Sequence, residues 1–494
     1  MNPWHKISRL SSAEIKKLQS QNLFHFINQH AYPFSPYYHS LFDNHKINPR
    51  LIKTKADLRY IPFTSKTDFW GPDQDSERFR DFILQPDQEK IRRYWSKIEL
   101  LKLAALSAWR GKPYIAQRLA AQYRPMFITF TTGTTNKPVP FAYSDYDIKN
   151  LHLSGARMIA LFGVGEQERV VNLFPFAPHL AFWQVVCGGF ETGVLILSTG
   201  GGKVMSSEGS VAALLKMKPA VIVGVPSYVY HVLRLAKDKN CDMSFVKKVV
   251  LGAARVSDMF KIRLAGLLNS MGASHVSVFG TYGFTEARSA WVECPTKPEV
   301  SSGYHLYPDK EIFEIIDPET GEVKKDNEDG ELVYTSLDSR GSVVIRYRTG
   351  DFVKGGITHE PCPYCKMTVP RISSDITRLS DVKDLKLSKI KGTLVNLSHF
   401  ISVINDFDQI IEWQIEIRKK DNDPFEVDEL VVYVCAKDGI SKDALGEELR
   451  KKVLLATEVA PNEIIFLSLA EIVKRLELET ASKEKRIIDA RVKA

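Results

Sequence analysis

The chain has 494 residues, of which 44% are hydrophobic and 26% charged, a composition that is ordinary for a globular protein with a large buried core. Its net charge of +8 is mildly basic and favours anionic small ligands as much as nucleic acid, and no stretch resembles a basic nucleic-acid-binding arm. No apolar run approaches the ~18 residues of a membrane-spanning helix, and the first residues do not resemble a signal peptide. We therefore expect a cytoplasmic protein that binds neither nucleic acid nor membrane. The six cysteines are expected to be thiols or metal ligands rather than disulfides.

Roughly the first 120 residues are predicted to be mostly helical. A candidate capping box, Ser11-Ser12-Ala13-Glu14, would open one helix, and a further helical stretch is expected around residues 88–120. No motif in this part points to chemistry, so we expect a lead-in that covers the core.

From residue 126 onward, short runs of Val, Ile and Leu alternate with segments of helical length. Such continuous apolar runs indicate parallel strands that are buried on both faces. The runs are residues 170–174, 192–197, 220–225, 248–251 and 276–280.

After about residue 310 the pattern changes to alternating strands with Gly and Asp turns, which predicts an antiparallel subdomain. A lysine-rich polar segment, residues 380–386, then precedes a final stretch typical of a small α+β domain. The sequence thus predicts an α/β fold in two parts. A large N-terminal domain, residues 1–383, would hold mostly parallel sheets and the antiparallel subdomain, and residues 384–494 would form the small α+β C-terminal domain.

The chain contains a hydroxyl-rich turn directly after a short apolar run: Phe130-Thr131-Thr132-Gly133-Thr134-Thr135-Asn136-Lys137-Pro138. A strand that leads into such a turn can wrap a polyphosphate, because Gly133 lets the backbone approach the oxygens and Lys137 adds a positive charge. The spacing differs from that of a Walker P-loop. Taken alone, the turn would fit a polar surface loop equally well.

Four further clusters follow the turn in chain order. Tyr282 could stack on a purine, Glu286 could hold a divalent cation, and Asp351 after a Gly turn suits the two hydroxyls of a ribose. Two lysine-bearing clusters come last. The four clusters are residues 280–287, 346–351, 383–392 and 482–486.

This ordered set resembles the adenylate-forming superfamily of acyl-CoA synthetases, nonribosomal adenylation domains and luciferases, and within it the phenylacetate-CoA ligase-like branch. The resemblance covers the chain from about residue 125 to its end. It implies an AMP-forming acid–CoA ligase that uses ATP and Mg²⁺, forms an acyl-adenylate with release of pyrophosphate and passes the acyl group to coenzyme A. It also implies that the C-terminal domain is a mobile lid.

The resemblance assigns roles residue by residue. Thr285 and Glu286 match positions that contact phosphate and Mg²⁺, and Asp384 matches the hinge of the lid. Lys483 matches the catalytic lysine that bridges the carboxylate and the α-phosphate, although Lys485 competes for that role. The nucleotide site would comprise Thr131, Thr132, Gly133, Thr134, Thr135, Lys137, Gly252, Ala253, Ala254, Tyr282, Gly283 and Asp351. The chain departs from the family at Asn136 and Ser482, where glycine is usual.

An aromatic, proline-broken stretch, residues 173–183, holds one histidine. The family carries a substrate-side residue at the equivalent junction, so His179, Phe182 and Trp183 are candidates for an acyl pocket. For Phe182 and Trp183 a place in the core is an equal alternative. The aromatic content is compatible with an aryl or arylacetic acid.

Cys362-Pro363-Tyr364-Cys365 has the spacing of half a tetrahedral zinc site. Cys294 and His305 flank a polar loop upstream and would complete a Cys3His set. With four protein ligands we expect structural Zn²⁺, and free thiols are the alternative.

Three alternatives remain open for function and assembly. The acyl group could pass to a carrier protein in trans, to an amine or to another nitrogen nucleophile instead of coenzyme A. The chain could also be a nucleotide-binding homologue that has lost catalysis. A homodimer is left open.

Overall fold

In a computed structural model of the chain, the structure describes residues 4–70, 77–131, 138–165, 167–176, 179–254, 256–379, 387–390, 393–396, 400, 403–422, 428–457, 459–477 and 485–491. The helices, α1 to α14 in chain order, are Trp4–Ile7, Ser12–Phe26, Tyr32–Phe34, Pro36–Asn44, Gln88–Tyr94, Lys97–Arg110, Lys112–Tyr123, Asp145–Phe162, Leu180–Thr192, Ser207–Met217, Pro226–Asp238, Asp258–Asn269, Lys442–Thr457 and Leu469–Leu476.

The strands, β1 to β21 in chain order, are Phe127–Phe130, Pro140–Tyr143, Arg169–Asn172, Leu195–Ser198, Val221–Gly224, Lys248–Leu251, Ser277–Phe284, Ser289–Val292, Tyr304–His305, Glu311–Ile316, Gly330–Ser336, Tyr347–Val353, Ile357–Thr358, Arg371–Ile372, Ile376–Arg378, Leu387–Ile390, Thr393–Asn396, Ile410–Lys419, Asp428–Ala436, Glu463–Phe466 and Ile487–Asp489. Short 3₁₀ segments lie at Pro49–Leu51, Lys55–Tyr60, Lys66–Phe69, Arg78–Phe82, Gly201–Lys203, Thr285–Ala287 and Lys420–Asn422.

Helices α1 to α7 confirm the helical lead-in. The predicted capping box opens α2, where the Ser11 hydroxyl accepts from the Glu14 N–H and the Glu14 carboxylate accepts from the Ser11 N–H. This exchange satisfies two backbone donors at the helix start, so the local sequence alone determines where α2 begins. A π-helical turn, Ile27–Ala31, follows α2 directly.

Buried His30 joins this turn to α7 and contacts His25 of α2. His30 Nδ1 lies 2.8 Å from the Tyr123 hydroxyl, and His30 Nε2 lies 3.3 Å from His25 Nε2. Burial lowers the pKa of His30 well below its usual value, and burial lowers the pKa of His25 as well. Both rings are therefore expected to be neutral at pH 7.

We expect the protein to lose stability as the pH falls below about 6.5, the ordinary pKa of histidine. The unfolded chain takes up a proton there while buried His30 stays neutral, so each pH unit costs up to about 1.4 kcal/mol until the folded pKa is reached. Thermal melts of the wild type and of His30→Gln across this range check the expectation. The melting temperature of the variant should depend less on pH, and an equal dependence would contradict the assignment.

A six-stranded sheet in the order β4-β3-β5-β6-β7-β8 forms the centre of the fold. Strands β3 to β7 are parallel, and β8 is antiparallel to β7 at one edge of the sheet. This arrangement confirms the predicted α/β core. Strand β4 begins at Leu195 rather than near Thr192, because α9 continues to Thr192 and Gly193 ends it with a left-handed φ of 72°.

Helices α8 and α9 pack through glycines. A Cβ on Gly155 would lie 2.6 Å from the Cα of Gly188, a distance that no side chain could occupy. The contact holds α9 close to the core, and the first turn of α9 carries Phe182 and Trp183.

The predicted antiparallel subdomain is a sheet in the order β10-β11-β12-β15. Toward the C-terminus, β20-β19-β18-β21 form a mixed sheet with α13 and α14, which confirms the α+β character expected there. This sheet has hydrophobic clusters of its own. Arg263 of α12 donates a 2.6 Å hydrogen bond to the carbonyl of Ile410 in β18. Among the described residues, no helix combines the length and the apolar character needed to cross a bilayer.

Candidate active site

The carboxyl ends of β3, β5, β6 and β7 meet at one edge of the parallel sheet, the edge where α/β folds bind ligands. Gly252 follows β6 there, and a Cβ at this position would lie 2.2 Å from Thr281 Oγ1 of β7. Thr281 in turn donates to the Leu251 carbonyl. Ala253 has a φ of +66° and is exposed with Ala254, so two small residues form an open step at this edge.

The hydroxyl-rich turn joins two antiparallel strands, β1 and β2. Thr131 closes its base, since its N–H donates to the Val139 carbonyl and its hydroxyl accepts from the Val139 N–H. The other predicted nucleotide-binding positions of the turn, Thr132, Gly133, Thr134, Thr135 and Lys137, lie outside the described residues.

One carbonyl brings three distant segments together just before this turn. The carbonyl of Phe130 lies 3.1 Å from His179 Nδ1 and accepts from the Thr285 hydroxyl at 3.4 Å. His179 precedes α9, and Thr285 follows β7. The predicted phosphate contact and the predicted substrate-side histidine therefore flank the same backbone atom.

Asp351 is held by two side chains. The Tyr282 hydroxyl donates to its Oδ2 at 2.7 Å, and Arg378 Nη1 lies 3.2 Å from its Oδ1. Asp351 was expected after a Gly turn, whereas Gly350, with φ +70°, lies within β12 where the pairing with β11 is irregular. Arg378 also donates to the Thr349 carbonyl at 3.0 Å.

Arg378 was not among the residues predicted from the sequence. It is the direct cross-strand partner of Asp351 in the β12–β15 pair. Opposite charges at paired positions attract, but the two residues lie far apart in the chain and the pairing register of their strands cannot be read from the sequence.

Glu286 lies in the short turn Thr285–Ala287 that follows β7. Its Oε1 accepts a 2.7 Å hydrogen bond from the Tyr347 hydroxyl. Burial raises the pKa of Glu286, and this hydrogen bond opposes the rise. A carboxylate in such surroundings gains from a nearby cation, so the residue fits a divalent metal ligand.

The candidate pocket aromatics form one cluster. Phe182 and Trp183 have ring centroids 5.4 Å apart, and Phe176 contacts both at 5.2 and 5.9 Å. Phe127 of β1 adds a contact with Trp183 at 5.2 Å. Phe182 is 9% exposed whereas Phe176 is 57% exposed, so the cluster runs from the core to the surface.

A buried ion pair fixes the strand that carries Tyr282. Lys261 Nζ of α12 lies 3.0 Å from both oxygens of Glu293, and each side chain is 2% exposed. Glu293 also accepts from the Gly280 N–H in β7. Lys261 also lies 3.4 Å from Asp258. Removing Lys261 would leave the Glu293 carboxylate buried without this cation, so the pair holds the middle of β7 in place.

Of the predicted site residues near the C-terminus, the structure describes one. Asp384 and Lys483 lie outside the described residues. Lys485 is described: its ammonium lies 2.7 Å from Glu477, and its carbonyl accepts from the Gln414 amide. The predicted nucleotide-site residue Gly283 is exposed and lies in β7 opposite Ala290 of β8.

The four predicted metal ligands come together. Cys294, His305 and Cys362 are buried, Cys365 is half-buried, and their donor atoms all lie within 4.8 Å of one another. The two sulfurs of Cys294 and Cys362 are 3.7 Å apart, close to the edge of about 3.8 Å that a tetrahedral zinc–thiolate site requires. Cys365 Sγ is 3.2 Å from His305 Nε2, and His305 Nδ1 faces the Val292 carbonyl at 3.4 Å. The donor set and its geometry fit Zn²⁺.

The parallel core, the antiparallel subdomain and the C-terminal α+β region together match the fold of adenylate-forming ligases. The chain belongs to the AMP-binding enzyme family, whose profile matches residues 74–338, more than half of its length. This confirms the predicted superfamily and the predicted enzyme class, an AMP-forming acid–CoA ligase.

Curated relatives agree with this family. The phenylacetate-coenzyme A ligase of Aromatoleum evansii is 27% identical over 352 residues, which cover 70% of this chain and 68% of the relative. The phenylacetate-coenzyme A ligase of Thermus thermophilus is 23% identical over 420 residues, 84% of this chain and 81% of the relative. These relatives confirm the predicted phenylacetate-CoA ligase-like branch.

Solved structures share the fold at lower identity. A 2-hydroxyisobutyryl-CoA ligase in the postadenylation state, in complex with R3-HIB-AMP, matches with a TM-score of 0.73 at 18% identity and covers 98% of this chain and 91% of that one. The same ligase in the thioesterification state, with 2-HIB-AMP and CoA, matches with a TM-score of 0.59 at 18% identity, covering 99% and 92%.

Proposed function

We propose that the protein activates an aryl or arylacetic acid with ATP, forms the acyl-adenylate and transfers the acyl group to coenzyme A. The observation that carries the proposal is a pair of carboxylates that tyrosine hydroxyls hold in place, Asp351 between Tyr282 and Arg378, and Glu286 against Tyr347. Asp351 lies in β12, and Tyr282 links it to β7, the strand that Glu286 follows. Thr285, next to Glu286, donates to the Phe130 carbonyl.

The two carboxylates are proposed to serve different parts of the nucleotide, Asp351 the ribose and Glu286 the Mg²⁺ at the phosphates. Asp351 offers two oxygens that Tyr282 and Arg378 hold in a fixed orientation, which suits the vicinal hydroxyls of a ribose. Gly252, Ala253 and Ala254 leave room at the sheet edge for a flat base. The turn at residues 131–137, with Thr285, would surround the phosphates.

Glu286 is the residue proposed to hold Mg²⁺, which when bound neutralises negative charge on phosphate oxygens. The attacking carboxylate and the α-phosphate are both anions, so the protein must offset charge and fix position. Lys483 is proposed to bridge the two groups. No nucleophilic side chain is required.

The acid is assigned to the aromatic cluster. Phe176, Phe182 and Trp183 have ring centroids within 6 Å of one another, and Phe127 lies 5.2 Å from Trp183, an arrangement that suits an aromatic acyl group. His179 is proposed to stand at the carboxylate end, because its ring contacts the Phe130 carbonyl beside Thr285. Phenylacetate, the acid in the names of the curated relatives, belongs to the same class and supports the assignment.

Residues 384–494 are proposed to be the mobile lid, with Asp384 at its hinge. The separate hydrophobic clusters of the C-terminal sheet support this, since a part with its own core can move as a unit. After adenylation, such a movement would take Lys483 out of the site and open a path by which coenzyme A reaches the acyl-adenylate.

Acid and acceptor are tested together by incubating the protein with ATP, Mg²⁺ and coenzyme A and a panel of aryl, arylacetic, fatty and amino acids. Mass spectrometry of the products should show aryl or arylacetyl thioesters. Parallel reactions with amines in place of coenzyme A give the rate for nitrogen acceptors. Faster amide than thioester formation would reject coenzyme A as acceptor, and a preference for fatty acids would reject the aromatic pocket.

We further propose that Cys294, His305, Cys362 and Cys365 bind structural Zn²⁺. The purified protein should contain about one zinc per chain, and Cys362→Ser should lose the metal and melt at a lower temperature because the site ties the loop before β14 to the ends of β8 and β9. Cys241→Ser is the matched control, since Cys241 lies outside the cluster. Metal analysis and thermal melts check this, and zinc retained in Cys362→Ser would contradict it.

A further inference from the structure

Almost all of the net positive charge of the chain lies in one short segment. Residues 88–124, here called the basic hairpin, contain nine Lys or Arg and two Glu, a net charge of +7 out of +8 for the whole chain. The segment comprises α5, α6 and α7. Its basic residues are Lys90, Arg92, Arg93, Lys97, Lys102, Arg110, Lys112, Arg118 and Arg124.

These charges face solvent and are poorly paired. Eight of the nine basic side chains are exposed, Lys90 being half-buried. Within the described part of the chain, Lys90 is the one basic residue of the hairpin that lies within ion-pair distance of a carboxylate, 3.7 Å from Asp87. The hairpin therefore presents an almost unneutralised positive surface.

Helix α6 adds an apolar face to this surface. No residue of α6 is buried, although it contains nine Ile, Leu, Ala and Trp side chains on more than one side. Leu100 and Leu103 pack toward the main core. Ile98, Leu101 and Trp109 are 66%, 68% and 74% exposed, and their spacing of three and eight residues places them on one side of the helix.

The tip of the basic hairpin carries both positive charge and exposed aromatic side chains. Arg110 lies 4.2 Å from the centroid of the Trp109 ring and 5.7 Å from that of Tyr114, so a cation and two aromatic rings stand next to each other at the turn between α6 and α7. Aromatic and basic side chains in this combination are typical of the interface between water and a lipid bilayer.

We propose that the basic hairpin docks on an anionic lipid surface, with α6 lying in the plane of the interface. The exposed apolar row would enter the headgroup region while the basic residues around it meet lipid phosphates. A second copy of the chain is a poor occupant, because a symmetric contact would place two sets of like charges together. Peripheral docking needs no spanning helix, and it differs from the expectation of a protein without membrane contact.

The test uses the full chain and vesicle sedimentation. Vesicles of phosphatidylcholine with phosphatidylglycerol should bind the protein about ten-fold more tightly than phosphatidylcholine alone, and added salt should weaken the binding. The emission maximum of tryptophan fluorescence should shift to shorter wavelength when the protein binds vesicles, and Trp109→Phe should remove most of this shift.

Two variants distinguish vesicle binding by the basic hairpin from non-specific hydrophobic adsorption. Leu101→Glu together with Trp109→Glu should lower vesicle binding about ten-fold or more while leaving adenylate formation unchanged. Leu455→Glu, at a residue that is 75% exposed on α13, is the control and should bind like the wild type. Equal binding to both vesicle types, or an equal loss in Leu455→Glu, would overturn the proposal. So would binding to an acidic protein or self-association through Leu101 without vesicle binding.

Discussion

Replacing Glu286 with glutamine should lower acid-dependent adenylate formation by about 10³-fold and leave the fold intact. Glutamine keeps the size of the side chain and can still accept the hydrogen bond from Tyr347, whose hydroxyl lies 2.7 Å from Glu286 Oε1. It removes the negative charge that the divalent cation needs. The loss should therefore appear in catalysis rather than in the melting temperature.

Tyr347→Phe is the matched variant for this test. It removes the hydrogen bond but keeps the carboxylate, so we expect a loss of about ten-fold or less that higher Mg²⁺ concentrations partly restore. Pyrophosphate exchange measured against Mg²⁺ concentration distinguishes the two variants. Turnover of Glu286→Gln at the wild-type rate would reject Glu286 as the metal-binding residue.

Lys483→Ala should lower adenylate formation by about 10²-fold to 10³-fold, because it removes the cation proposed to bridge carboxylate and α-phosphate. It should affect thioester formation far less when the acyl-adenylate is supplied ready-made with coenzyme A, since Lys483 is proposed to leave the site for that step. Measuring the two half-reactions separately gives the loss in adenylate formation and the loss in thioester formation, which can then be compared.

Lys485 provides the control for Lys483. Its ammonium pairs with Glu477 at 2.7 Å on an exposed surface, so Lys485→Ala should cost at most about 1 kcal/mol of stability and little activity. A larger loss of adenylation in Lys485→Ala than in Lys483→Ala would exchange the two assignments.

Much of the fold follows from local patterns in the sequence. Continuous apolar runs such as 248–251 predict buried parallel strands, and β6 has these bounds. The capping box at Ser11 likewise fixes the start of α2 through contacts within four residues. Where a boundary was wrong, at β4, the helix α9 extends over residues that a strand pattern also fits.

The sequence proposed residues for the candidate site but not the contacts between them, and the roles of these residues stay predictions. Motif order indicated Tyr282, Glu286 and Asp351, whereas Arg378 and the role of Tyr347 depend on strand pairing across the antiparallel sheet. A charged residue near a strand end carries no local signal of its partner. The Cys-X-X-Cys spacing indicated two of the four proposed metal ligands, Cys362 and Cys365, and the structure brings Cys294 and His305 to them.

The exposed side of α6 illustrates another limit of sequence patterns. Its sequence, rich in Leu and Ala, predicts a helix that packs on the core, and one face does. The opposite face, with Ile98, Leu101 and Trp109, remains exposed, which only the packed structure shows.

The measurement that tests the central claim most directly is carboxylate-dependent ATP–pyrophosphate exchange with Mg²⁺ and without coenzyme A. We expect exchange with aryl or arylacetic acids, strict dependence on the acid, and nearly complete loss in Glu286→Gln. Absence of exchange with every acid class, in a protein that still binds ATP, would contradict adenylation and favour a nucleotide-binding homologue without catalysis.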